Sequence, residues 1–133
     1  MLRVFLEDLC KELAIEPVPK LNELKIYPFH LGSEFIAIRD LEPGLGLQAQ
    51  ICSCPGNKKE ELFIFLMRAN LLGQGTGGAR IGLDQEEKFL TLSLALPYEM
   101  NYQVFRETIE DFANYVIYWR KEVAKFEREQ SVY

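Results

Sequence analysis

The sequence predicts an α+β fold: helix, three strands, helix, two strands and a long helix, forming a twisted antiparallel sheet flanked by helices. Three observations carry this. Apolar residues recur at helical spacing in three separated segments. Between them the period falls to two, as in strands. The connections within each run of strands are too short for crossover helices, so the strands form antiparallel meanders. A chain of 133 residues is long enough to bury a self-sufficient core, so one domain spanning 1–133 is expected.

Residues 2–14 set Leu2, Phe5, Leu6, Leu9 and Leu13 on one helical face, with Glu7, Asp8, Lys11 and Glu12 opposite. Pro17 and Pro19 stop this helix, because proline lacks a donor and restricts its predecessor. Short strands follow at 25–27, 34–39 and 46–52, with Gly32-Ser33 and Glu42-Pro43-Gly44 as turns between them. Asn57 followed by Glu60 reads as a helix cap with a capping-box acid.

The second helix, 58–72, carries two apolar stripes: Leu62, Leu66, Ala69 and Leu72, and then Phe63, Met67 and Leu71. A surface helix of a monomer needs only one. Either the helix is central in the domain, or its second face meets another chain.

A strand at 79–84 and a polar turn at 84–87 lead to the clearest strand, 88–96, where Leu90, Leu92, Leu94 and Leu96 share a face. The last helix, 101–127, places Phe105, Ile109, Phe112, Val116, Trp119, Val123 and Phe126 at alternating steps of four and three. Such a helix is about 35–40 Å long, enough to cross a sheet. The stripe reads as a sheet cover, with a coiled-coil seam as the alternative.

Gly73-x-Gly75-x-x-Gly78 matches a dinucleotide fingerprint literally. That site needs a strand before the glycines and a helix N-terminus after them, aimed at the pyrophosphate. Here a helix precedes and a strand follows, so the nearest dipole end is the negative one. Gly-Lys-Ser/Thr is missing too, because Ala79-Arg80 follows the last glycine. The glycines are read as backbone devices, Gly73 as a left-handed helix cap, with no ligand in the loop.

Other chemistry is thin. His30 is the one histidine, read as a solvated loop residue. Cys10, Cys52 and Cys54 match neither a redox C-x-x-C pair nor a zinc ribbon, and read as free thiols. Asp84, Glu86 and Glu87 read as solvated turn carboxylates, as do Asp40 and Glu42 on the surface. No catalytic residue, metal site or cofactor is expected. A net charge of −5 and a pI near 5.0 argue against nucleic acid as a partner. No segment approaches a membrane span or an apolar leader, and a cytoplasmic location is expected.

The stretch Leu66-Met-Arg-Ala-Asn-Leu-Leu-Gly-Gln-Gly-Thr-Gly-Gly-Ala-Arg-Ile-Gly-Leu-Asp resembles the class I type III secretion chaperones, the CesT/SycE-like family. The element order, the small size, the acidic pI, Phe89-Leu-Thr-Leu and Trp119 in the final helix fit the same resemblance. Gly75-Thr-Gly-Gly is richer in glycine than many members.

The resemblance implies a bacterial cytoplasmic chaperone without ATP or enzymatic activity. It would hold the N-terminal segment of a secreted effector non-globular and present it to the type III secretion apparatus. It also implies a homodimer, or a heterodimer with a related chaperone, through the central helix and the strand after it. That points to Phe63, Met67, Leu71, Arg80 and Ile81. The family's effector-binding patches map by position to Leu2, Phe5, Leu9, Phe35, Ile36, Leu45 and Leu47, of which half or more would be core in an ordinary domain. A small regulatory or adaptor protein that binds a folded partner is the alternative.

Overall fold

The computed structural model describes residues 2–54, 56, 59–71 and 78–131. The elements are α1 (Leu2–Leu13), β1 (Tyr27–Leu31), β2 (Glu34–Asp40), β3 (Leu45–Ser53), α2 (Lys59–Asn70), β4 (Arg80–Leu83), β5 (Phe89–Leu96) and α3 (Tyr102–Ser131). The strands form a sheet in the order β1-β2-β3-β5-β4, antiparallel as expected. The chain resolves into two compact units, Met1–Gln48 with Ala95–Ala113, and Ala49–Leu94 with Asn114–Tyr133.

In the first unit, α1 buries Leu2, Leu6, Leu9 and Cys10. It ends where Ala14 turns left-handed, and the N–H of Ile15 then reaches the carbonyl of Cys10 at 2.8 Å. This is a Schellman closure made without glycine. The first strand lies at Tyr27–Leu31, later than 25–27. Asn22 explains the shift: its side-chain oxygen accepts the N–H groups of Leu24 and Ile26 at 2.9 and 3.0 Å. Asn22 thereby holds 22–26 in a turn in which Lys25 has φ of 61°. Pro28 is tolerated inside β1 because the strand forms one edge of the sheet. His30 consequently lies on this strand, not in a loop, exposed and with its ring 5.0 Å from that of Phe35.

The core of this unit gathers Phe29, Ile36, Ile38, Leu45, Leu47, Phe105, Ile109 and Phe112 around α1. Asn101 caps α3, its side-chain oxygen accepting the N–H of Val104 at 2.9 Å. Glu12 ties α1 to α3, accepting from the Tyr102 hydroxyl and from Arg106 Nη1, each at 2.6 Å.

In the second unit, β3 continues with Ala49 and Ile51 buried and Gln50 exposed. Cys54 donates its N–H to the Lys88 carbonyl at 2.8 Å, beside β5. At the start of β5 both faces are covered, because Thr91 is buried together with Leu90 and Leu92. Its hydroxyl donates to the Gly82 carbonyl, whereas Leu94 is only half-buried.

Val116, Trp119 and Val123 of α3 are buried, and Phe65 of α2 stacks on Phe126 with centroids 5.3 Å apart. Arg120 donates to the carbonyls of Ile51 and Gln50, latching α3 to β3. The apolar stripe of α3 is thus core of its own chain and not a coiled-coil seam. The helix outlasts residue 127 because Glu127, Arg128 and Glu129 are good helix formers without a breaker.

Candidate functional site

Two features stand out, one in each unit. The first unit contains an open cavity of about 460 Å³. Its apolar lining comes from Leu2 and Phe5 of α1, Leu45 of β3, Pro43, and Met100 before α3. Three of the seven expected effector-contacting residues, Leu2, Phe5 and Leu45, therefore come together there. Phe35 lies apart on β2, 47% exposed. Leu9, Ile36 and Leu47 do not line the cavity and fill the core, whereas Leu45, itself 2% exposed, belongs to both.

The mouth of the cavity carries Asp40, Glu42 and Glu99, all exposed, with Tyr98 beside them. Asp40 Oδ1 accepts the N–H of Glu42 at 3.0 Å, and Leu41 donates to the Gly44 carbonyl at 3.0 Å, which closes the β2–β3 turn. Gly44 has φ of 91° and packs so tightly that an added Cβ would lie 1.9 Å from the Leu96 carbonyl oxygen and 2.6 Å from the Tyr98 nitrogen. Only glycine permits that approach. The stretch 98–100 escaped sequence reasoning because its place at the mouth depends on this contact and not on any periodicity.

The second unit exposes an apolar face on α2. Leu62 and Leu66 point into the core, while Ile64, Met67 and Leu71 are 52%, 69% and 64% exposed. A shallow groove of about 250 Å³ runs beside this face, lined by Phe63, Met67, Ile81, Gly82 and Leu83 among others. Of the expected dimer residues, Phe63, Met67 and Ile81 share the groove; Leu71 follows the helix in the open, and Arg80 is exposed on β4 with Ile81 buried beside it. Leu83, the end of the strand expected at this surface, is exposed and lines the groove, and Ile64 is an exposed apolar residue of α2 outside both expected stripes.

Asn70 joins α2 to β4. Its amide nitrogen donates to the Ile81 carbonyl and its amide oxygen accepts the Ile81 N–H, both at 2.8 Å. The asparagine of the Ala-Asn-Leu-Leu segment thus has a definite structural task.

Of the glycine-rich loop, Gly78 is described, with φ of 91° and open space around its Cα. Gly73, its expected capping role and the rest of the loop lie outside the described residues, as do Asn57 and its expected helix cap. Asp84 organises a turn, accepting the N–H groups of Lys88 and Phe89 at 2.8 and 3.2 Å. Cys10, Cys52 and Cys54 are free thiols. Burial pushes Cys10 up, and burial with the Glu127 carboxylate pushes Cys52 up, so neither is an activated nucleophile. Among the described residues there is no group of three or more His, Cys, Asp or Glu able to hold a metal ion. None of the described helices is long and apolar enough to cross a membrane.

Residues 5–120 match the model of the Tir chaperone protein (CesT) family, which is most of the chain. The chain belongs to this family. No curated protein matches it by sequence. Among solved structures, a chain of the ExsC–ExsE complex is 13% identical with a TM-score of 0.72, the match covering 90% of this chain and 91% of that one. A chain of the HopA1–SchA chaperone–effector complex is 12% identical with a TM-score of 0.67, covering 90% and 93%. The Yersinia pestis type III secretion chaperone SycH, solved with a stable fragment of YscM2, gives 17% and 0.61, covering 88% and 98%. At such identities these likenesses establish a shared fold.

Proposed function

We propose that residues 1–133 act as one type III secretion chaperone domain. It binds the N-terminal segment of a secreted effector in the bacterial cytoplasm, keeps that segment non-globular and presents it to the secretion apparatus, without ATP and without catalysis. The observation that carries this reading is the open cavity of the first unit. Its apolar lining supports seating a side chain from an extended segment, and its size falls in the roughly 300–1,000 Å³ range of binding sites. Leu2, Phe5 and Leu45 line that seat, and Phe35 offers a separate exposed contact. Leu9, Ile36 and Leu47 act by holding these elements in place from within the core.

The exposed face of α2 supports pairing with a second chaperone subunit, identical or related. Phe63, Met67 and Leu71 form its centre, with Arg80 and Ile81 of β4 beside it. Fully burying one such side chain contributes about 1.5–3 kcal/mol, so three of them suit a stable dimer.

Co-purification from the native bacterium tests the function. Recovery of a secreted protein bound through its N-terminal residues is expected; recovery of a folded partner alone favours an adaptor and overturns the proposal. Sedimentation tests the subunit contact. Met67→Glu is expected to dissociate the dimer, since an unpaired buried charge costs about 3–5 kcal/mol. A variant that stays dimeric removes the α2 interface.

A further inference from the structure

We propose that the cavity of the first unit selects client segments in which a lysine or arginine lies within one or two positions of an apolar anchor. The inference rests on the segment-binding reading above and names the chemistry that reading leaves open. The residues lining the cavity combine apolar Leu2, Phe5, Pro43, Leu45 and Met100 with acidic Asp40, Glu42 and Glu99, and include no lysine, arginine or histidine. Arg3–Glu7, Lys88–Glu86 and Arg106–Glu12 form ion pairs, and none of these three pairs draws on Asp40, Glu42 or Glu99. Asp40 spends one oxygen on the Glu42 N–H and keeps the other.

Three acidic residues around one opening give it a negative potential that an incoming cation complements. A basic side chain fits this arrangement better than a simple ion does. Its methylene stem covers apolar lining while its head stays at the wet mouth, where hydrogen bonds to carboxylates are strengthened by charge. An acidic segment is turned away by the same groups, so the mouth discriminates as well as attracts. The turn that carries Asp40 and Glu42 is fixed against the Leu96–Tyr98 backbone through Gly44, so two of the carboxylates are presented by a braced hairpin.

Panning a phage-displayed library of random short peptides on the full-length chain tests this. The comparison protein carries Asp40→Asn, Glu42→Gln and Glu99→Gln, which removes the charges and keeps the Asp40 acceptor. All three positions are exposed, and an unchanged melting curve confirms an intact fold. The native chain is expected to enrich peptides with Lys or Arg beside an apolar residue.

Their affinity should fall about tenfold or more in the triple variant. That gap should shrink as ionic strength rises from about 0.1 M to about 1 M and the screening length contracts from about 10 Å to about 3 Å. Enrichment of apolar peptides without a basic neighbour, or an unaltered basic preference in the triple variant, overturns the inference and leaves segment binding intact. No enrichment on the native chain overturns both.

Discussion

Gly44 gives the most quantitative test of how the cavity is built. Alanine there meets two separate penalties. The backbone has φ of 91°, a region that costs an L-residue about 1–2 kcal/mol. The new Cβ would also sit 1.9 Å from the Leu96 carbonyl oxygen, and that atom is backbone, so it cannot rotate aside as a side chain would. Overpacking of this kind costs about 1–3 kcal/mol. The combined loss, about 2–5 kcal/mol, is a large share of the stability of an ordinary domain.

Gly32 supplies the internal control: its φ is 61°, yet nothing lies within 4 Å of an added Cβ. Gly32→Ala therefore carries the backbone penalty alone. With a urea dependence of about 2 kcal/mol per molar, the Gly44→Ala midpoint should fall by about 1–2.5 M, and the Gly32→Ala midpoint by about 0.5–1 M. Equal drops for the two variants would refute the close approach of the turn to the Leu96–Tyr98 backbone, and with it the construction of the cavity mouth.

Asn70→Ala removes two 2.8 Å hydrogen bonds from a half-buried residue beside β4, and should cost about 1–3 kcal/mol in the same urea assay. Trp119→Ala opens a hole against Phe65 and should cost about 3–5 kcal/mol, read as a lowered melting temperature. Glu12 provides a pH test. The Tyr102 hydroxyl, then Arg106, hold its carboxyl below the ordinary 4.5, so its contribution to stability is present above that value and is lost as the pH falls through the depressed pKa. The midpoint difference between the native chain and Glu12→Gln should therefore be positive at neutral pH and vanish in acid. At the alkaline end, burial and the Glu12 contact push Tyr102 up to about 12 from 10.0. The stability it contributes should persist below pH 10 and disappear as the pH rises through 12, measured against Tyr102→Phe.

The parts of the fold legible in the sequence are those where one face is buried over many residues. The stripe from Phe105 to Val123 imposes a period that no strand reproduces, and it is buried throughout. β1 was misplaced because its start is decided by an asparagine side chain holding 22–26 in a turn, not by apolar alternation. Pro28 sits inside β1 without harm because that strand is a sheet edge. The two stripes of α2 were visible, and so was the possibility that one of them faces outward. The cavity was half visible: Leu2, Phe5 and Leu45 could be named, but not Tyr98, Glu99 and Met100. Those three reach the mouth through a backbone approach that leaves no periodic trace. Asp40 and Glu42 look like any solvated carboxylates until the turn brings them over an apolar floor.

The paired hydrogen bonds between Asn70 and Ile81 have a consequence for the company this protein keeps. Any chain that handles extended segments risks being extended by them, strand upon strand, along an open sheet margin. At β4 that margin is stoppered: a side-chain amide imitates the peptide group of a neighbouring strand and occupies both of Ile81's hydrogen-bonding groups. At the opposite margin, β1 carries Pro28, which has no N–H to offer. The sheet margins are thus each blunted at one point, at Ile81 by an imitation strand and at Pro28 by a missing donor.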